Sequence, residues 1–202
     1  MARRRHRLNI NAPELVRIIG FLILVEAMFM SVPLLYSLIT GGDEASVFAI
    51  SNVVVGLGIV LTVKPRVREM GKRDGMLLTA LVWVIFSLFG MLPFILCDIH
   101  LNVAEAFFES MSGFTTTGAS VISDISDLPR GVNLWRCIMQ WLGGVGIIIF
   151  TVALLPMLNS SGGMQMFNAE ATGITHDKLR PRVSQTAKRL WLIYCVLTVT
   201  LG

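Results

Sequence analysis

The residues with the clearest chemical potential are Thr115, Thr116, Thr117 and Gly118, followed by Ala119 and Ser120. Threonine and glycine offer hydroxyl and backbone carbonyl oxygens but no net charge. Such oxygens can replace part of the water shell of a dehydrated cation. A carboxylate in their place would hold the ion too tightly to release it, so neighbouring Glu109 is assigned to bracing the segment from behind. Gly118 fits because a strand whose carbonyls all turn one way needs backbone angles that a Cβ disfavours. Upstream, Phe107 to Gly113 is a short apolar, helix-like run, and downstream lies a polar loop with Asp124 and Asp127. Two readings stand on spacing alone. One is a re-entrant pore loop, because irregular backbone at membrane depth survives only where protein buries it or water reaches it. The other is a polar extracellular loop after a surface helix.

Other chemistry finds little support. His6, His100 and His176 lie in loops, and no Ser or Cys stands beside a His within a membrane segment, so a nucleophile there has no base. No P-loop, HExxH or paired Cys/His pattern occurs. Gly143-Gly144-Val145-Gly146 follows Trp141 in an apolar helix rather than a strand, which makes it a poor nucleotide loop. Cys97, Cys137 and Cys195 lie in or beside apolar runs without CxxC spacing and read as small core residues. Glu26 is the deep acid of the first apolar run. An intramembrane acid is either functional, for instance as a proton carrier, or hydrogen-bonded to a neighbouring helix.

The elements that must position these residues are membrane helices. Of 202 residues 54% are hydrophobic and 15% charged, with a mean hydropathy of +0.71. A soluble domain of this size carries more charge. The apolar runs Leu15 to Ile39, Ala45 to Val63, Met76 to Cys97 and Leu134 to Leu158 approach the ~20 residues that cross a bilayer. The first is too long for a signal-peptide core and is read as an uncleaved helix, started by Asn11, Pro13 and Glu14 and kinked at Pro33. Asn102 and Glu105 form a capping-box pattern. It predicts a helix from Val103 to Gly113, about 16 Å long, half the hydrocarbon thickness. The negative end of its dipole would lie near Thr115 to Gly118 and favour a cation. The polar segment Asn159 to Arg182 leads to a last apolar run, Leu190 to Gly202, too short to span.

Charge orients the chain. Of the 17 Lys and Arg, 15 fall at the N-terminus, in the Lys64–Arg73 loop and in Lys178–Arg189; Arg130 and Arg136 fall on the opposite side. The N-terminus is therefore expected in the cytoplasm, with the Thr/Gly segment facing outward beside Asp43, Glu44, Asp98, Asp124 and Asp127. An acidic mouth concentrates cations. The net charge of +4 sits at the ends of apolar runs, which argues for topology signals and against nucleic acid.

Several stretches, in order, carry a family resemblance: Ala106-Phe107-Phe108-Glu109-Ser110-Met111-Ser112-Gly113-Phe114-Thr115-Thr116-Thr117-Gly118-Ala119, Gln140-Trp141-Leu142-Gly143-Gly144-Val145-Gly146-Ile147, Gly162-Gly163-Met164-Gln165, Leu179-Arg180-Pro181-Arg182 and Thr186-Ala187-Lys188-Arg189-Leu190-Trp191. The sequence resembles the membrane subunits of Trk-type potassium uptake systems, within the Trk/Ktr/HKT potassium transporter superfamily. The leading helix pair is similar to the accessory pair that Ktr subunits lack. The resemblance implies potassium uptake across the bacterial inner membrane, with four helix–pore-loop–helix repeats around one potassium path. Thr116, Thr117 and Gly118 would be the filter positions of the first repeat, flanked by Thr115 and Ala119. It further implies a homodimer in the membrane lipid and a cytosolic nucleotide-binding regulatory subunit of the TrkA type.

The expected fold is all-α integral membrane: two accessory transmembrane helices, one helix–re-entrant pore loop–helix repeat and the start of a second. The expected divisions are residues 1–69, 70–158 and 159–202. With one filter segment where the family uses four, the chain is expected to be a fragment or to require several copies. A non-conducting assembly subunit and a proton-coupled secondary transporter using Glu26 are the rival functions.

Overall fold

Residues 12–56, 72–97, 99–126, 128–159 and 179–201 are described by a computed structural model. Helix α1 spans Ala12–Thr40 and is apolar nearly all round. Its buried positions Ile19, Ile23, Glu26, Met30, Pro33 and Ser37 recur every three or four residues. This spacing is one face of a helix. Phe21, Met28 and Leu35 form an exposed apolar stripe, the surface a lipid-facing helix presents.

A turn at Gly41–Glu44 leads to α2, Ala45–Gly56, which returns against α1 through Phe48, Ser51 and Val55. Ser31 Oγ donates to Asn52 Oδ1 across this pair at 3.3 Å. The remainder of the expected second span and most of the basic loop lie outside the described residues.

Helix α3, Lys72–Gly90, starts four residues before the expected Met76. It breaks at Met91 and resumes as α4, Leu92–Leu96. Pro93 explains the break, because it has no N–H to continue the ladder and is tolerated in a first turn. Helix α5, Val103–Phe114, is half a span long. Helix α6, Arg130–Asn159, begins four residues before the expected Leu134. Arg130 and Gly131, expected in the loop, form its first turn. Helix α7, Leu179–Leu201, takes in basic residues expected to be irregular. Pro181 sits within its first turn, where proline is compatible with a helix.

Two compact units result, Met1–Gln140 and Trp141–Gly202. In the first, Phe94, Phe114, Trp135 and Met139 are buried. The Phe114 ring lies 5.4 Å from Phe86 and 6.3 Å from Trp135, the latter edge-on. Trp135 Nε1 donates to the Gly90 carbonyl at 2.9 Å, closing α6 onto the α3–α4 break. In the second unit, Tyr194 of α7 lies over Gly144 of α6. Its ring is 5.9 Å from Trp141, whose Nε1 donates to Thr198 Oγ1 at 3.1 Å. Cys137 is exposed on α6, not a core residue as its apolar surroundings suggested; Cys97 and Cys195 are half-buried. Apolar sequence around a cysteine marks core only where that helix face is packed. The regular structure among the described residues is helical, without strands, in an integral membrane fold.

Candidate functional site

Helix α5 starts with the expected capping box. Asn102 Oδ1 accepts from Glu105 N at 3.0 Å, and Glu105 Oε2 accepts from Asn102 N at 2.9 Å. Two donors that a helix start leaves unpaired are thereby satisfied. Twelve residues carry the helix about 18 Å, short of the ~30 Å hydrocarbon core.

Its end is built by the threonines. Thr116 N–H donates to Gly113 O and Thr117 N–H to Ser112 O, both at 3.0 Å. This nested pair is a Schellman ending, which places its C′ residue in the left-handed region. Thr116 holds that place with φ of 57°. A β-branched residue there is uncommon and strained by ~1–3 kcal/mol. Gly118 follows with φ of 74°, where a Cβ would be unfavourable. Thr115 Oγ1 donates to Met111 O at 2.7 Å and lies 2.8 Å from Thr117 Oγ1.

The backbone amides of Thr115, Thr116 and Thr117 thus turn back into α5. Among the described residues, nothing hydrogen-bonds to the carbonyl oxygens of Thr116, Thr117 or Gly118, and these three residues and Ala119 are exposed. Ala119 is held by its own carbonyl, which accepts from Ser112 Oγ at 2.6 Å.

Behind the segment lies an ion pair. Glu109, on the buried face of α5, accepts from Arg136 Nε at 2.7 Å; Arg136 Nη2 is also 2.7 Å from the same Oε1. The carboxylate further accepts from Ser120 Oγ at 3.0 and 3.1 Å and from Val121 N–H at 3.1 Å. Arg136 Nη2 also reaches Ser120 Oγ at 3.3 Å. The carboxylate is thus directed into the protein, consistent with the bracing expected of Glu109. Its partner Arg136 was not legible as such: the two lie 27 positions apart on different helices. The hint available was a lone arginine in an apolar run. Further along, Asp124 accepts from the hydroxyl and the N–H of Ser126. The hydroxyl contact, then the N–H, hold its carboxyl below the usual range.

Glu26 stands apart from this network. It is fully buried, and neither carboxyl oxygen has a partner among the described residues. No group of three or more His, Cys, Asp or Glu suited to a metal ion occurs among the described residues.

A helical membrane protein with an irregular, hydroxyl-rich segment after a helix too short to span is the class that the fold and this segment define. The family model TrkH, described as a cation transport protein, matches residues 45–202. TrkH of Halomonas elongata, a Trk system potassium uptake protein, is 41% identical over 191 residues, covering 92% of this chain and 39% of that protein. TrkH of Escherichia coli K12 is 40% identical over the same shares. The crystal structure of the potassium transporter TrkH from Vibrio parahaemolyticus superposes with a TM-score of 0.77 at 34% identity, over 94% of this chain and 38% of that one. The chain belongs to the TrkH family of cation transport proteins. It spans about two-fifths of the length of the relatives it matches.

Proposed function

We propose that this chain forms part of a potassium uptake pathway. Thr116, Thr117 and Gly118 contribute backbone oxygens to its selectivity filter, with Thr115 and Ala119 at the edges. The observation that carries this reading is three exposed residues whose carbonyls accept no hydrogen bond among the described residues, at the C-terminal end of a half-length helix. That end carries partial negative charge, which favours a cation. Discrimination against sodium follows from the number and field strength of the oxygens presented. The potassium uptake named for the relatives agrees with this assignment.

On this reading potassium is the transported ion. The protein is a multi-pass component of the bacterial inner membrane with a cytoplasmic N-terminus. Residues 1–69 form the N-terminal arm and accessory pair, 70–158 the first helix–pore loop–helix repeat, and 159–202 a cytoplasmic loop and the first helix of the next repeat. The working assembly is a homodimer that binds a cytosolic nucleotide-binding regulatory subunit of the TrkA type.

The test is a chimera in which this chain replaces the aligned part of Escherichia coli TrkH, expressed in cells lacking their own potassium uptake. Growth at low potassium and rubidium uptake, both lost on Gly118→Asp, are expected. Uptake unchanged by Gly118→Asp would overturn the filter assignment.

Glu26 supports a second reading, in which proton movement accompanies uptake. An acid buried within a span, with no partner among the described residues, is the kind of group that relays protons. Glu26→Gln in the same chimera would then change the pH dependence of uptake; an unchanged profile would exclude it.

A further inference from the structure

The turn between α1 and α2 reaches the start of α6 through the side chain of Glu44. Glu44 Oε1 accepts from Gly131 N–H at 3.0 Å, across 87 positions of sequence. Gly131 N–H is one of the donors that a helix start leaves unpaired. The first turn of α6 contains no acid of its own, so the carboxylate also meets the positive end of its dipole.

The surroundings are shaped to that carboxylate. A Cβ on Gly42 would lie 2.5 Å from Glu44 Oε2 and 2.8 Å from its carboxyl carbon. A Cβ on Gly131 would lie 3.0 Å from Glu44 Oε1 and would collide with Ser37 Oγ. Ser37 is fully buried, and its hydroxyl has no partner among the described residues. The carboxylate is therefore seated between two glycines, with a buried hydroxyl from α1 in the same corner.

From this corner a continuous path runs to the filter segment. Five residues beyond Gly131, Arg136 holds Glu109, and Glu109 holds Ser120 and the Val121 amide. We propose that Glu44 is a positioning residue for ion selectivity: the accessory helix pair sets the register of α6 through Glu44, and α6 sets the filter backbone through Arg136 and Glu109. This rests on the filter assignment above and adds to it a role for the α1–α2 turn.

The experiment uses the chimera and measures rubidium-over-sodium uptake per transporter at known membrane abundance. Glu44→Ala removes the acceptor that caps this helix start, and the ratio is expected to fall. Glu44→Gln keeps an acceptor for Gly131 N–H and should retain most of the ratio. If Glu44→Ala does not accumulate, Glu44→Asp replaces it, since one methylene fewer withdraws the carboxylate from Gly131. An unchanged ratio in the variant that accumulates, or lower abundance with an unchanged ratio, would overturn the proposal. Gly118→Ser in parallel separates the two ideas. A shift there without one at Glu44 leaves the filter standing and removes the brace. No shift at Gly118 removes the filter assignment itself.

Discussion

Thr115 and Gly118 lie three positions apart in one hydroxyl-rich run, yet their geometry predicts different tolerance. Thr115 uses its hydroxyl to hold Met111 O, and serine keeps that contact. Gly118 has a φ of 74°, where any side chain adds strain. In the chimera, Gly118→Ser is expected to weaken potassium-over-sodium discrimination more than Thr115→Ser. Equal sodium uptake by the two variants would count against the filter role. The two arginines in the first turns of α6 differ in the same way. Arg130 is exposed, whereas Arg136 is buried against Glu109. Removing one member of a buried pair leaves an uncompensated charge, at a cost of ~3–5 kcal/mol. Arg136→Met should therefore lower the unfolding midpoint in detergent well below that of Arg130→Met. Similar midpoints would show that the pair contributes little.

At the scale of elements, α5 docks where α3 breaks. A Cβ on Gly90 would lie 2.6 Å from Phe114 Cε2, 2.8 Å from Ser110 Oγ and 3.2 Å from Glu26 Oε1. Phe114 is packed between Phe86 and Trp135 and has little room to move. Gly90→Ala should cost ~1–3 kcal/mol by overpacking, read as a lower unfolding midpoint. No change would mean that α5 can shift without penalty. The start of α5 was legible because Asn102 and Glu105 satisfy each other locally. The break at Met91 and the early start of α6 were not. Pro93 could have stood at the outer end of an unbroken span, and nothing near Gly131 reveals that Glu44, 87 positions earlier, meets this helix start.

For the whole molecule, the basic asymmetry predicts that a cysteine near Gly71 is labelled only from the cytoplasm and one at Ser126 only from outside. Cytoplasmic labelling at Ser126 would reverse the topology. Purified 202-residue polypeptide in liposomes is expected to take up no rubidium, because an ion site needs a ring of oxygens and, on the proposed assignment, Thr116 to Gly118 supply one segment of it. Uptake lost on Gly118→Asp would instead indicate a ring made by several copies. Composition and hydropathy alone determined that the chain is helical and lies in a membrane, because apolar runs of spanning length have few other stable fates. Local chemistry likewise determined the capping box of α5, since it depends on neighbours within a few residues. Only the tertiary structure decided that Arg136 pairs with Glu109, that Glu44 meets α6, and that Glu26 is buried with no partner among the described residues. These depend on which helix faces meet, and in an apolar helix every face reads alike until its neighbours are placed.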